Sequence, residues 1–117
     1  MIGRLPNAER AAINPRKLRD YALNPDHLSG AYKAEFFAQM GYTRGDWQRL
    51  EQDIRAQHLA HAARPGKPSP HGTKYVITAP LQGPRGAARQ VTTVWIIRYD
   101  SDVPELITVE PAPRKKG

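Results

Sequence analysis

The chain contains no cysteine, which removes structural disulfides and every cysteine-based zinc site. It also lacks any run near the ~18 apolar residues that a membrane span requires. Its first ten residues, "MIGRLPNAER", carry no apolar segment of the secretory type. A soluble, cytoplasmic protein without membrane contact is therefore expected. No phosphate-cradling P-loop, no GxSxG and no dinucleotide fingerprint is present, so no small-molecule cofactor is expected. His58 and His61 stand three apart on a predicted helix, but no HExxH or carboxylate framework accompanies them. A metal site is accordingly not expected. Acidic residues are also scarce, with 11 Asp and Glu against 18 Lys and Arg, for a formal net charge of +7.

What is present fits one domain, since 117 residues lie within the usual domain size and suffice for one hydrophobic core. The charge is uneven. From Met1 to Ala62 nine Lys/Arg face seven Asp/Glu, whereas from Ala63 to Gly117 nine face only four. A basic half attracts polyanions, and RNA is the expected partner for such a field. The alternative source is simply the terminal "RKKG", which adds three positive charges.

Periodicity divides the chain in two. A helical part spans 14–62. In "INPRKLRDYAL", Asn14 can cap a helix and Pro15 suits its first position, with Leu18 and Tyr21 at helical spacing. The segment ends at "NPD", where Pro25 disfavours helical backbone at Asn24. A second helix has Ser29 as candidate cap, an apolar face of Tyr32, Phe36, Phe37 and Met40, and Gly41 at its end. Thr43 with Asp46 resembles a capping box, and Trp47, Leu50 and Ile54 give a third helix reaching about His61.

"ARPGKPSPHG", residues 63–72, reads as a linker. The period then changes to two. "TKYVITAPL", "RQVTTVWIIRY" and "ELITVE" read as strands of an antiparallel sheet over 73–110, followed by a disordered basic tail, 111–117. The expected class is α+β, with N-terminal helices packed on a three- to four-stranded antiparallel sheet. On the central strand Val91, Thr93, Trp95, Ile97 and Tyr99 share one face and Thr92, Val94, Ile96 and Arg98 the other. The pattern does not decide which face the helices cover.

One stretch, "NPDHLSGAYKAEFF", concentrates groups capable of chemistry. His27 precedes the second helix, and an accessible imidazole can take or give a proton near pH 7. Lys33, six residues on, can bring a positive charge to the same region. The structural alternative is that His27 buttresses the junction and Lys33 is a solvated helix residue. Thr93 and Thr108 can bond phosphate oxygens, and Trp95 can stack on a base if the sheet face is open; otherwise Trp95 is core. Lys74, Arg85, Arg89 and Arg98, around the first two strands, are the expected RNA-contacting cations.

Read in order, "LPNAERAAINPRKLRDYALNPDH..G..KAEFF", "G..Y.I..PL.GP.G", "VTTVWII" and "P.LIT" resemble a family of small uncharacterised bacterial domains. These occur free-standing and as C-terminal modules of polymorphic and contact-dependent-inhibition toxins. The resemblance runs from about Leu5 to Val109 and implies a fold akin to the barnase, EndoU, colicin and RelE group of metal-independent ribonucleases. Its matching positions are His27, Gly30, Lys33, Phe36, Thr93, Trp95 and Thr108. Two departures stand out: "HLSG" where a proline is usual after the histidine, and "ITVEPAPRKKG" in place of a more apolar final strand.

The resemblance implies an endoribonuclease toxin acting by 2′-OH transesterification. In that role His27 serves as base or acid, Lys33 as charge stabiliser or second acid, and Thr93 and Thr108 position the phosphate. An acidic antitoxin or immunity protein is then an expected partner. Two other functions use the same residues without cleavage: a non-catalytic RNA-binding or ribosome-associated module, and a protein-binding accessory or immunity partner.

Overall fold

In the computed structural model the described residues are 3–27 and 31–113. The candidate cap Ser29, Gly30 of the resemblance and the basic end of the tail from Arg114 lie outside them. The helices come first. Helix α1, Pro15–Lys17, is capped by Asn14, whose side chain accepts from the Arg16 N–H at 3.0 Å. It continues as a π-helical turn over Leu18–Ala22, closed by the Leu23 N–H on the Leu18 carbonyl. Helix α2 is Ala31–Gln39 and α3 is Trp47–Ala56, with single 3-10 turns at Ala8–Arg10, Arg44–Asp46 and His58–Ala60.

Helix α2 stops as its sequence predicts. Gly41 adopts φ 101°, a left-handed conformation costly for other residues. The N–H of Gly41 bonds the Ala38 carbonyl and that of Tyr42 bonds the Phe37 carbonyl, the pattern of a Schellman motif. The rings of Phe37 and Tyr42 pack edge-on beneath it. The capping box at Thr43 does not form, because Thr43 opens a 3-10 turn with no side-chain cap. Tyr32, expected on the apolar face, is 60% exposed.

Four antiparallel strands follow in the order β1-β2-β3-β4: β1 Arg64–Pro65, β2 Gly72–Gln82, β3 Ala88–Arg98 and β4 Pro104–Pro111. The fourth strand comes from the segment expected to be only a linker. Its residues Arg64 and Pro65 pair with Val76 and Tyr75, and Gly66 adds a bond to the Lys74 carbonyl. The class is α+β, helices followed by an open antiparallel sheet. Among the described residues no helix is long and apolar enough to cross a membrane.

The helices cover the face of β3 that carries Val91, Thr93 and Trp95, each fully buried. This settles the question the pattern left open and overturns one expectation. Trp95 and Thr93 do not line an exposed surface for RNA. They belong to a closed polar chain inside the core with His58. The His58 Nε2–H donates to the Val91 carbonyl at 3.0 Å, which leaves Nδ1 to accept from the Thr93 hydroxyl at 2.9 Å. The Thr93 oxygen in turn accepts the Trp95 indole N–H at 2.9 Å. Every polar atom of the chain is thus satisfied without water, and His58 has no nitrogen left to pair with His61 on a metal.

Burial lowers the His58 pKa from its ordinary 6.5, and the carbonyl contacts offset this only in part. The unfolded chain therefore binds a proton that the folded chain refuses. Stability is full above pH 6.5 and falls as the pH drops below it. His58→Phe is expected to cost roughly 1–3 kcal/mol at pH 8, by leaving the Thr93 hydroxyl proton and the Val91 carbonyl without their partner, and to flatten the decline toward pH 5. Urea midpoints across that range check both; parallel curves for the two proteins would contradict the assignment.

A cleft between the first helix and the edge strand

Two backbone irregularities build the site. The first is the π turn. The extra residue it takes up points Leu18 and Ala22 into the core, both fully buried, and leaves Tyr21 half-buried beside the sheet edge. The second is a β-bulge where β3 and β4 change register: Trp95 pairs with Leu106, but Val94 pairs with Thr108. Ile107 is the inserted residue, and such bulges re-aim the side chains that follow. Leu106 and Val109 go to the core, while Thr108 and Glu110 fall opposite the outward residues Val94 and Thr92.

Between the π turn and β4 lies an open cleft of about 700 Å³. Its chemistry comes from Tyr21, His27, Lys33, Thr108 and Glu110, and its rim from Arg16 and Lys17. His27 and Lys33, singled out in the sequence, do meet on one cavity. The His27 ring stands edge-on to Tyr21, with centroids 4.6 Å apart.

Lys33 is only 4% exposed, so its ammonium needs partners in place of water. It donates to the Tyr21 hydroxyl at 2.8 Å and to the Thr108 hydroxyl at 3.2 Å, and it lies 3.6 Å from the Glu110 carboxylate. The two hydroxyls each take one N–H bond of the ammonium, and the carboxylate balances its charge. Lys33 is therefore neither the solvated helix residue of the structural reading nor an unengaged charge. It ties the helices to β4. Asp20, also on the cleft wall, is held down to about pKa 2, chiefly by its hydrogen bond from Arg19, against the opposing effect of burial and with further help from Arg44. It is ionised at every working pH and carries no proton.

None of the expected RNA-contacting cations lines this cleft. Arg89 and Arg98 sit at the two ends of β3, roughly 30 Å apart at the usual rise of about 3.3 Å per residue. Arg89 lies over the half-buried Phe36 ring and bonds Gln39, while Arg98 pairs with Glu105 at 3.3 Å. Arg85 packs against Gly41, and Lys74 pairs in register with Ile96. A single basic patch over the first two strands is therefore not formed. The cations beside the cleft are Arg16 and Lys17, and among the described residues neither makes an ion pair.

Sequence reasoning missed Tyr21, Glu110, Arg16 and Lys17. Tyr21 reads as part of an apolar helical repeat, and Glu110 as the last residue of an ordinary strand. The one available signal was "NPRK", two adjacent cations on a capped first turn.

A family model for a domain of unknown function, DUF6883, matches residues 4–112, and the chain belongs to that family. No curated protein and no solved structure matches it.

The contact set of Lys33 gives a direct expectation. Lys33→Ala removes a buried side chain and leaves Glu110 without its cation, which should cost about 3 kcal/mol. His27→Ala, at the half-buried cleft surface, should cost less. Urea denaturation of the two variants checks this; equal stabilities would contradict the role given to Lys33.

Proposed function

We propose that the protein is a metal-independent endoribonuclease that cleaves RNA by transesterification at this cleft. The observation that carries the reading is the meeting of His27, Lys33 and Thr108 on one open cavity rimmed by Arg16 and Lys17. Cleavage of this kind needs a group to take the 2′-OH proton, a group to protonate the leaving 5′ oxygen, and positive charge for the phosphorane. His27 supplies proton transfer with no ion required. The Lys33 ammonium supplies fixed positive potential behind Thr108, and the rim cations draw in the phosphate backbone.

The net charge of +7 supports the same substrate class, as does the order of helices followed by an antiparallel sheet. A role as a toxin module acting in the cytoplasm accords with the resemblance carried by the sequence. In that setting an acidic antitoxin or immunity protein would silence the enzyme by filling the cationic mouth of the cleft. RNA binding without cleavage is the second reading, favoured by one specific feature: the ammonium of Lys33 is buried and already engaged by protein oxygens.

Incubation of the purified protein with RNA in EDTA separates the two. Cleavage products ending in cyclic phosphate are expected, and His27→Ala should lower the rate roughly 100-fold or more. RNA left intact but bound, with affinity indifferent to His27→Ala, would replace the enzyme by a binding module.

Affinity should also report the rim. Arg16→Ala and Lys17→Ala are each expected to reduce the slope of log affinity against log salt by about one ion. Arg98→Ala, paired at the far end of β3, should leave it unchanged. A slope that responds to Arg98 and not to Arg16 or Lys17 would move the RNA site onto the sheet.

A further inference from the structure

We propose that Tyr21, and not Lys33, delivers the proton to the leaving group, and that Lys33 is the positioning residue that makes this possible. The inference rests on the ribonuclease reading and assigns its second proton-transfer group. It follows from counting hydrogens. An ammonium has only donors, so in the 2.8 Å contact between Lys33 and Tyr21 the phenol oxygen must accept. Its own proton is left to point elsewhere. Among the described residues no acceptor meets that proton, and Tyr21 lines the cleft. The other hydroxyl on Lys33 is differently placed. Thr108 accepts from the ammonium at 3.2 Å and turns its own proton toward Glu110 at 3.5 Å. Two N–H bonds of Lys33 are taken by these hydroxyls and its charge is balanced 3.6 Å away by Glu110, whereas the Tyr21 O–H meets no acceptor among the described residues.

The neighbouring groups fit the two halves of the reaction. In the first step the 2′ oxygen bonds phosphorus as the bond from phosphorus to the 5′ oxygen breaks. His27 takes the 2′-OH proton and Tyr21 gives its proton to the departing 5′ oxygen. The negative charge left on the phenol oxygen develops 2.8 Å from the Lys33 ammonium, a donor already in place before reaction. In the second step water attacks the cyclic phosphate. Tyr21 recovers its proton from that water and protonated His27 returns one to the 2′ oxygen. Both residues end as they began. The edge-on packing of His27 against Tyr21 at 4.6 Å keeps the two proton carriers on one substrate.

The test compares two substrates: an RNA oligonucleotide, whose alkoxide leaving group needs a proton, and a nucleoside phosphodiester with a nitrophenyl leaving group, which departs without one. Tyr21→Phe should slow RNA cleavage roughly 100-fold or more while changing nitrophenyl release by less than about 10-fold. Lys33→Met should show the same split, because it acts through Tyr21. His27→Ala should lose both activities. Circular dichroism and urea midpoints confirm that each variant folds, and Lys33→Arg, which keeps a cation at the phenol, should recover part of the RNA activity. Tyr21→Phe cleaving RNA at the wild-type rate, or losing both substrates equally, overturns the assignment while cleavage by the wild type stands. A wild type inert toward both overturns the ribonuclease reading and this assignment with it.

Discussion

A buried ammonium governs the arrangement of this molecule. Lys33 is nearly inaccessible, and an ion in such a place costs several kcal/mol unless hydrogen bonds and opposite charge replace its water. The replacements come from two other stretches of chain: Tyr21 on the π turn, then Thr108 and Glu110 on the last strand. They stand 2.8, 3.2 and 3.6 Å from one nitrogen. That requirement fixes the first helix, the second helix and the edge of the sheet against one another, and the cleft is the space left between them. Polar residues on the free edge of a sheet are ordinary; polar residues organised around a sealed cation are a built site.

The same logic separates the structural histidine from the one proposed for chemistry. His58 is surrounded by carbonyls, a threonine and a tryptophan that use both of its nitrogens, so it stays neutral and inert within the core. His27 is half-buried at a loop and lines an open cavity. Identical side chains thus stand in opposite settings, and accessibility rather than residue type decides which one can exchange a proton with a ligand.

Much of the framework was legible in the sequence. The helix cap at Asn14, the glycine terminator at Gly41, the three long strands and the α+β order all follow from local rules that hold whatever the tertiary context. The meeting of His27 with Lys33 was also foreseen. What local rules could not supply were the departures from regularity. The alternation of "ELITVE" places Leu106, Thr108 and Glu110 on one face, and only the bulge at Ile107 sends Thr108 and Glu110 away from Leu106. Helical spacing likewise puts Tyr21 beside Leu18, and only the π turn parts them. Thr93 and Trp95 looked like surface candidates because β3 has two half-apolar faces, and a strand alone does not say which one the helices choose. The basic residues of the sheet were grouped by nearness in sequence, although a strand of eleven residues holds its ends far apart.

The most direct measurement is a titration of the isotopically labelled protein with a dinucleotide whose attacking 2′ hydroxyl is replaced by hydrogen, so that it binds without being cut. Amide shifts should move together at Tyr21, His27, Thr108 and Glu110 and saturate, with weaker changes at Arg16 and Lys17. Shifts confined to the sheet around Lys74 and Arg98, or no saturable shifts at all, would contradict the cleft as the place where a phosphodiester is held.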